Sequence, residues 1–167
     1  KVETVFNAKA QKKAAAALPR FGLVLEMTES FENIEYLGYG PYENMSDFRE
    51  HTTFGVYNTT VDGMDEFYIK PQDYGVRTGV RRLSITDADG VGMMICNPDR
   101  DLSFTARHFT QALMQRSMHY DDLHSEHTTV IDIDGFLRGT GTGSCGPDVL
   151  PKYAIDGRKE LSYSFVI

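Results

Sequence analysis

Val80-Arg81-Arg82-Leu83-Ser84-Ile85-Thr86-Asp87-Ala88-Asp89-Gly90-Val91-Gly92-Met93-Met94-Ile95-Cys96 decides the fold. Two short apolar runs, residues 80–86 and 91–96, flank Asp87-Ala88-Asp89-Gly90. Those four middle residues read as a hairpin turn, with Gly90 at the position that needs a positive φ. Asp87 and Asp89 also resemble the start of a calcium loop. Such a loop needs spaced ligands through a terminal Glu, and residues 91–97 run on as apolar strand instead. Working outward, strand-length segments with β-branched or aromatic residues recur at 21–25, 34–39, 54–60, 102–106, 128–133 and 161–167. Val2, Thr4 and Phe6 alternate like a strand, and the lysine- and alanine-rich residues 8–17 suit a loop or short helix. Only 110–118 has helical character, with Thr110 as N-cap and Leu113 and Met114 on one face. Many short strands separated by turn signals predict an all-β antiparallel sandwich with one short helix.

Composition narrows the function. A chain of 167 residues that is 41% hydrophobic can bury a core, and a net charge of -7 argues against nucleic acid or an anionic membrane as partner. No segment has the length of a membrane span, and no membrane span or secretory signal is expected. Cys96 and Cys145 are too few and too far apart for a disulfide framework or a zinc ribbon, which suits free thiols in the cytoplasm. The start at Lys1 suggests a domain taken from a longer protein, while Tyr163, Phe165 and Ile167 read as a natural carboxyl end in a sheet.

No complete catalytic set emerges from the residues. His124 and His127 have H-x-x-H spacing but no third ligand, so residues 121–127 read as a polar loop and no metal site is expected. Glu43 with Asp47, and Asp132 with Asp134, are the nearest approaches to the carboxylate pair of a glycosidase. Both fit a solvated acidic face in so acidic a chain. Residues 139–147, Gly-Thr-Gly-Thr-Gly-Ser-Cys-Gly-Pro, form the most conspicuous loop. Gly141 to Gly146 match G-x-G-x-x-G, but Pro147-Asp148 and a strand-like segment follow where a dinucleotide site needs a helix. Cys145 has no motif-supported partner as a nucleophile.

Taken in order, several motifs resemble one family. They are Leu18-Pro19-Arg20-Phe21-Gly22; Gly38-Tyr39-Gly40-Pro41-Tyr42-Glu43-Asn44 with Asp47; Pro71-Gln72-Asp73-Tyr74-Gly75-Val76-Arg77 with Arg81; Phe104-Thr105-Ala106-Arg107-His108-Phe109-Thr110; and Gly139-Thr140-Gly141 with Ser144-Cys145-Gly146-Pro147. From about Pro19 onward the chain resembles the C-terminal, fifth or small-chain, domain of large bacterial β-galactosidases of glycoside hydrolase family 2. It departs from that pattern at Met45-Ser46, where a tyrosine is usual, at Phe48 in place of arginine, and at Asp73 in place of glutamate.

The resemblance implies a supersandwich of the galactose-mutarotase-like type, of which this chain holds only part. Residues 1–18 would be an N-terminal strand and connection, and 19–167 the main sandwich. It implies that the nucleophile, the acid/base carboxylates and a magnesium site belong to a separate TIM barrel, leaving this chain with no catalytic residue and no cofactor of its own. Partners would be that barrel, a galactoside such as lactose at a shared rim, and a second copy of the protein. Cys145 maps to a position that is tryptophan in some relatives and stacks on the sugar; Ser144 and Gly146 would shape the same subsite. Glu43, Arg77 and Arg81 are expected as buried charge-assisted pairs. Two rival readings are a mutarotase-like epimerase with His108 as acid or base, and an independent carbohydrate-binding module. The second would use the nine tyrosines, although the chain has no tryptophan.

Overall fold

The hairpin forms as its residues require: the Asp87 carboxylate accepts from the amides of Asp89 and Val91 at 3.0 and 2.9 Å, and Gly90 sits at φ 78°. The computed structural model describes residues 1–7, 17–141 and 145–167. Almost all of the lysine- and alanine-rich stretch lies outside the described residues. Ten strands occur among them: β1 (Val2–Phe6), β2 (Arg20–Thr28), β3 (Asn33–Gly40), β4 (Thr53–Thr60), β5 (Arg77–Val80), β6 (Arg82–Thr86), β7 (Gly92–Cys96), β8 (Leu102–Arg107), β9 (Thr128–Leu137) and β10 (Leu161–Phe165). All pair antiparallel, in sheets ordered β2-β9-β8-β5, β4-β3-β6-β7 and β1-β10. A backbone bridge between Cys96 and Val166 ties the end of β7 to the chain leaving β10.

The period-2 alternation of the strands puts one apolar row of each four-stranded sheet inward. Ile34 and Tyr36 of β3, Leu83 and Ile85 of β6 and Ile95 of β7 meet Phe104 and Ala106 of β8 and Ile131 and Ile133 of β9 in a single core. The fold is an all-β sandwich. Each of the large aliphatic and phenyl side chains removed from water contributes roughly 1.5–3 kcal/mol of transfer free energy, so the shared core is what holds the two sheets together.

In one place the chain departs from the expected strand segments. Residues 80–86, which read as one strand, belong to two. Val80 pairs with Leu102 in one sheet, whereas Arg82 pairs with Cys96 and Leu37 in the other. Between them Arg81 donates its amide to Leu37 O at 2.9 Å. The backbone thus turns a corner from one layer to the next, and β-branched composition is blind to that change of partner.

The single α-helix among the described residues, α1 (Gln111–Arg116), is capped as expected: Thr110 Oγ1 accepts from the Leu113 amide at 3.3 Å. Leu113 and Met114 join Tyr74 and Phe109 in a second, smaller apolar cluster. No helix among the described residues is long and apolar enough to cross a membrane. Cys96 and Cys145 are both free thiols.

Candidate functional site

The glycine-rich loop leaves β9 and is gripped at its base by a carboxylate from a distant segment. Asp47 Oδ1 accepts from the Thr140 amide at 3.0 Å and its hydroxyl at 3.3 Å, while Oδ2 accepts from the Gly141 amide at 2.7 Å. This close approach explains two glycines. A Cβ at Gly139 would lie 2.5 Å from the Asp47 carboxyl carbon, and Gly141 has φ 63°, with the Val149 amide 2.6 Å from where its Cβ would be. The Gly139 amide in turn donates to Tyr153 O at 3.0 Å. Of the expected substrate-contacting residues, Cys145 and Gly146 are exposed on this chain. Ser144 lies outside the described residues.

The segment carrying Asp47 is itself fixed by buried polar contacts. Asn44 is wholly buried; its Nδ2 donates to Tyr39 O and Tyr42 O, both at 3.0 Å, and its Oδ1 accepts from Thr78 through both amide and hydroxyl. Every polar valence of this amide is engaged, as burial demands. Glu43 accepts from the Gly75 amide at 2.9 Å and from the Tyr68 hydroxyl, a bond that pushes the phenol up to about 12. The expected pairing of Glu43 with Arg77 and Arg81 is therefore corrected. Arg77 is buried but donates to the carbonyls of Gly75 and Val76 at 3.1 and 3.4 Å, and Arg81 pairs with Asp101 at 3.0 Å on the surface. The turn of residues 73–77 supplies Glu43 with a backbone donor, which no spacing of charges in the sequence reveals.

A second correction concerns Asp132 and Asp134. Far from lining a solvated face, they are buried. Arg20 reaches Asp134 at 2.5 Å and Asp73 at 2.7 Å, and Arg107 reaches Asp132 at 2.5 Å, where the Thr105 hydroxyl also donates at 2.8 Å. Desolvation pushes the Asp134 carboxyl up to about 6, although the Arg20 guanidinium pulls the other way. Both carboxylates are thus committed to guanidinium partners and do not face each other across an open cleft. Asp73 also lines a small cavity of about 60 Å³ with Glu43, Asn44, Phe48, Tyr68 and Thr140, so the ion cluster and the loop base adjoin. The one sequence signal for the cluster was charge inside otherwise apolar strands, at Arg20, Arg107, Asp132 and Asp134.

The motifs at 38–47, 71–77 and 139–141 thus converge on one loop base. A family model described as the beta galactosidase small chain matches residues 1–167. The chain belongs to the β-galactosidase small-chain family. Among its relatives, the β-galactosidase of Staphylococcus xylosus is 32% identical over 90% of this chain, that of Halalkalibacterium halodurans 27% over all of it, and that of Lactococcus lactis 33% over 81%. The small chain spans only 15, 17 and 13% of those three relatives, respectively.

Proposed function

We propose that this small chain is the non-catalytic accessory part of a β-galactosidase, an enzyme hydrolysing terminal β-D-galactosides such as lactose. In this reading it packs against a catalytic barrel, helps assemble the enzyme, and lends residues 139–147 to the rim of the active site. Ser144, Cys145 and Gly146 then contact the substrate. The observation that carries the reading is the Asp47 anchor: one carboxylate with three donors holds the base of the loop while Cys145 and Gly146 stay exposed for another surface. Family membership and the small share of each relative that the chain covers support the division of labour. The mutarotase-like supersandwich, cytosolic location and assembly into homo-oligomers belong to the same proposal; the free thiols at Cys96 and Cys145 suit a reducing compartment.

The test is Asp47→Ala in the full enzyme, assayed with a chromogenic galactoside and with lactose. Losing an ionised acceptor for three donors frees the loop, so KM rises severalfold while kcat changes less, because the loop supplies binding and not chemistry. An unchanged KM for both substrates overturns the rim assignment. Turnover by the purified chain alone overturns the accessory role.

A further inference from the structure

At the end of β8 the His108 ring is fixed in orientation by its Nδ1, which lies 3.0 Å from the carbonyl oxygen of Thr128. A carbonyl only accepts, so Nδ1 carries the hydrogen. On the other side Nε2 faces Glu32 Oε2 at 2.7 Å and Asp62 Oδ1 at 3.7 Å. Ionised carboxylates also only accept. A neutral imidazole with its hydrogen on Nδ1 therefore aims a lone pair at two anions, and the three acceptor atoms call for a shared positive charge, a proton or a metal cation. Among the described residues no lysine or arginine pairs with Glu32 or Asp62; His108 is the ion-pair partner of both.

We propose that Glu32, Asp62 and His108 form a three-ligand site for a zinc-class divalent cation, with water completing the shell. One ligand atom from each of the three lies within 4.8 Å of the others. Tetrahedral zinc at about 2.0–2.2 Å from imidazole nitrogen and carboxylate oxygen holds its donors about 3.3 Å apart, and the observed 2.7 and 3.7 Å bracket that spacing. The arrangement around the ligands is also that of a metal site. The His108 Nδ1–H on a backbone carbonyl is the outer contact that fixes the tautomer of a metal-bound histidine. Glu32 Oε1 accepts from the Asp62 amide at 3.1 Å, holding the two carboxylates side by side. Asp62 and His108 border a cavity of about 180 Å³, which leaves room for the water ligand. A mixed imidazole and carboxylate set favours zinc and its first-row neighbours over magnesium or calcium. The three residues come from the β2–β3 turn, the short 3-10 turn after β4 and the position following β8. A bound ion therefore cross-links the two main sheets. The site was invisible to spacing rules because its ligands are far apart in sequence, unlike the H-x-x-H pair that suggested no metal.

The experiment uses the full protein, stripped with a chelator and titrated with zinc chloride by calorimetry. Melting temperature and, with cobalt(II) as probe, visible absorption are recorded in parallel. The expected result is one zinc bound beyond the number held by Asp62→Asn, with an affinity that falls about tenfold or more in Asp62→Asn, Glu32→Gln and His108→Gln. Zinc raises the melting temperature of the parent, and the gain shrinks in each variant. Asp62→Asn is the decisive variant, because its exposed side chain packs against little and its metal-free melting temperature should match the parent's. Equal zinc binding by parent and Asp62→Asn, equal binding of magnesium and zinc, or no zinc bound at micromolar concentration each overturns the site.

Discussion

Replacing Asp134 by Asn should make the protein gain stability relative to the parent as pH rises from 4 to 7. The carboxyl is 2% exposed and burial pushes its pKa up from 3.8 to about 6. Because the folded pKa lies above the unfolded one, the folded chain holds more protons between those values, and unfolding becomes easier as pH climbs through the window. Below pH 4 both states are protonated and the group contributes nothing; above pH 6 the penalty is complete. A shift of about two units, already net of the opposing pull from Arg20, corresponds to about 3 kcal/mol. Asn keeps the shape and removes the titration. It also deprives Arg20 of a partner, but Asp73 at 2.7 Å remains. Urea denaturation of both proteins at a series of pH values gives the difference directly, free of the opposing trend from surface carboxylates such as Asp122 and Glu126, which their hydrogen-bond donors hold low in both proteins. The expected difference grows in favour of Asp134→Asn by up to about 3 kcal/mol. A difference that stays flat, or that grows in favour of the parent, refutes the argument and means that Arg20 outweighs burial.

Two further outcomes follow from the loop base. Gly139→Ala drives a methyl to 2.5 Å from the Asp47 carboxyl carbon, so the anchor must shift; a stability loss of about 1–3 kcal/mol in thermal unfolding is expected, together with the rise in KM given by Asp47→Ala. Glu43→Gln keeps an acceptor for the Gly75 amide but removes the anion facing Tyr68, so ultraviolet titration should show one phenol moving from about 12 toward 10, with little loss of thermal stability. No movement of that phenol would reject the Tyr68–Glu43 bond.

The sandwich was legible because its signals are local. Alternating apolar residues, the Asp87–Gly90 turn and the Thr110 cap each act within a few positions, and each forms as read. What local pattern cannot carry is the identity of a distant partner. Arg81 lies where the backbone leaves one sheet for the other, a choice made by Leu37 and Leu102 rather than by its neighbours. Asp132 and Asp134 look like a solvated acidic stripe until Arg20 and Arg107 arrive from β2 and β8. The loop was visible as a loop, yet its anchor, Asp47, lies more than ninety positions away. His108 falls in the same class, for its meaning rests on Glu32 and Asp62 from two other segments.

The ion cluster and the loop base are best understood as one device. Burying Arg107, Asp132 and Asp134 and half-burying Arg20 and Asp73 costs up to several kcal/mol per ion before pairing, and a well-packed apolar cluster of similar volume would serve stability as well or better. What charge adds is direction. Arg20 binds both Asp134, on the rigid centre of the sheet, and Asp73, on the adjoining segment; Arg107 binds Asp132 and also approaches Asp73, at 3.6 Å. Apolar contacts would let that segment slide, whereas a guanidinium fork holds it at a set angle. Two residues on from Asp73, the Gly75 amide engages Glu43; next to Glu43, Asn44 is locked onto Thr78; three residues further, Asp47 holds the loop. The position of residues 139–141 is thus referred back, through short fixed steps, to the middle of a sheet. Small residues bring few side-chain contacts of their own, so the base of the loop at residues 139–141 takes its position from this chain of contacts.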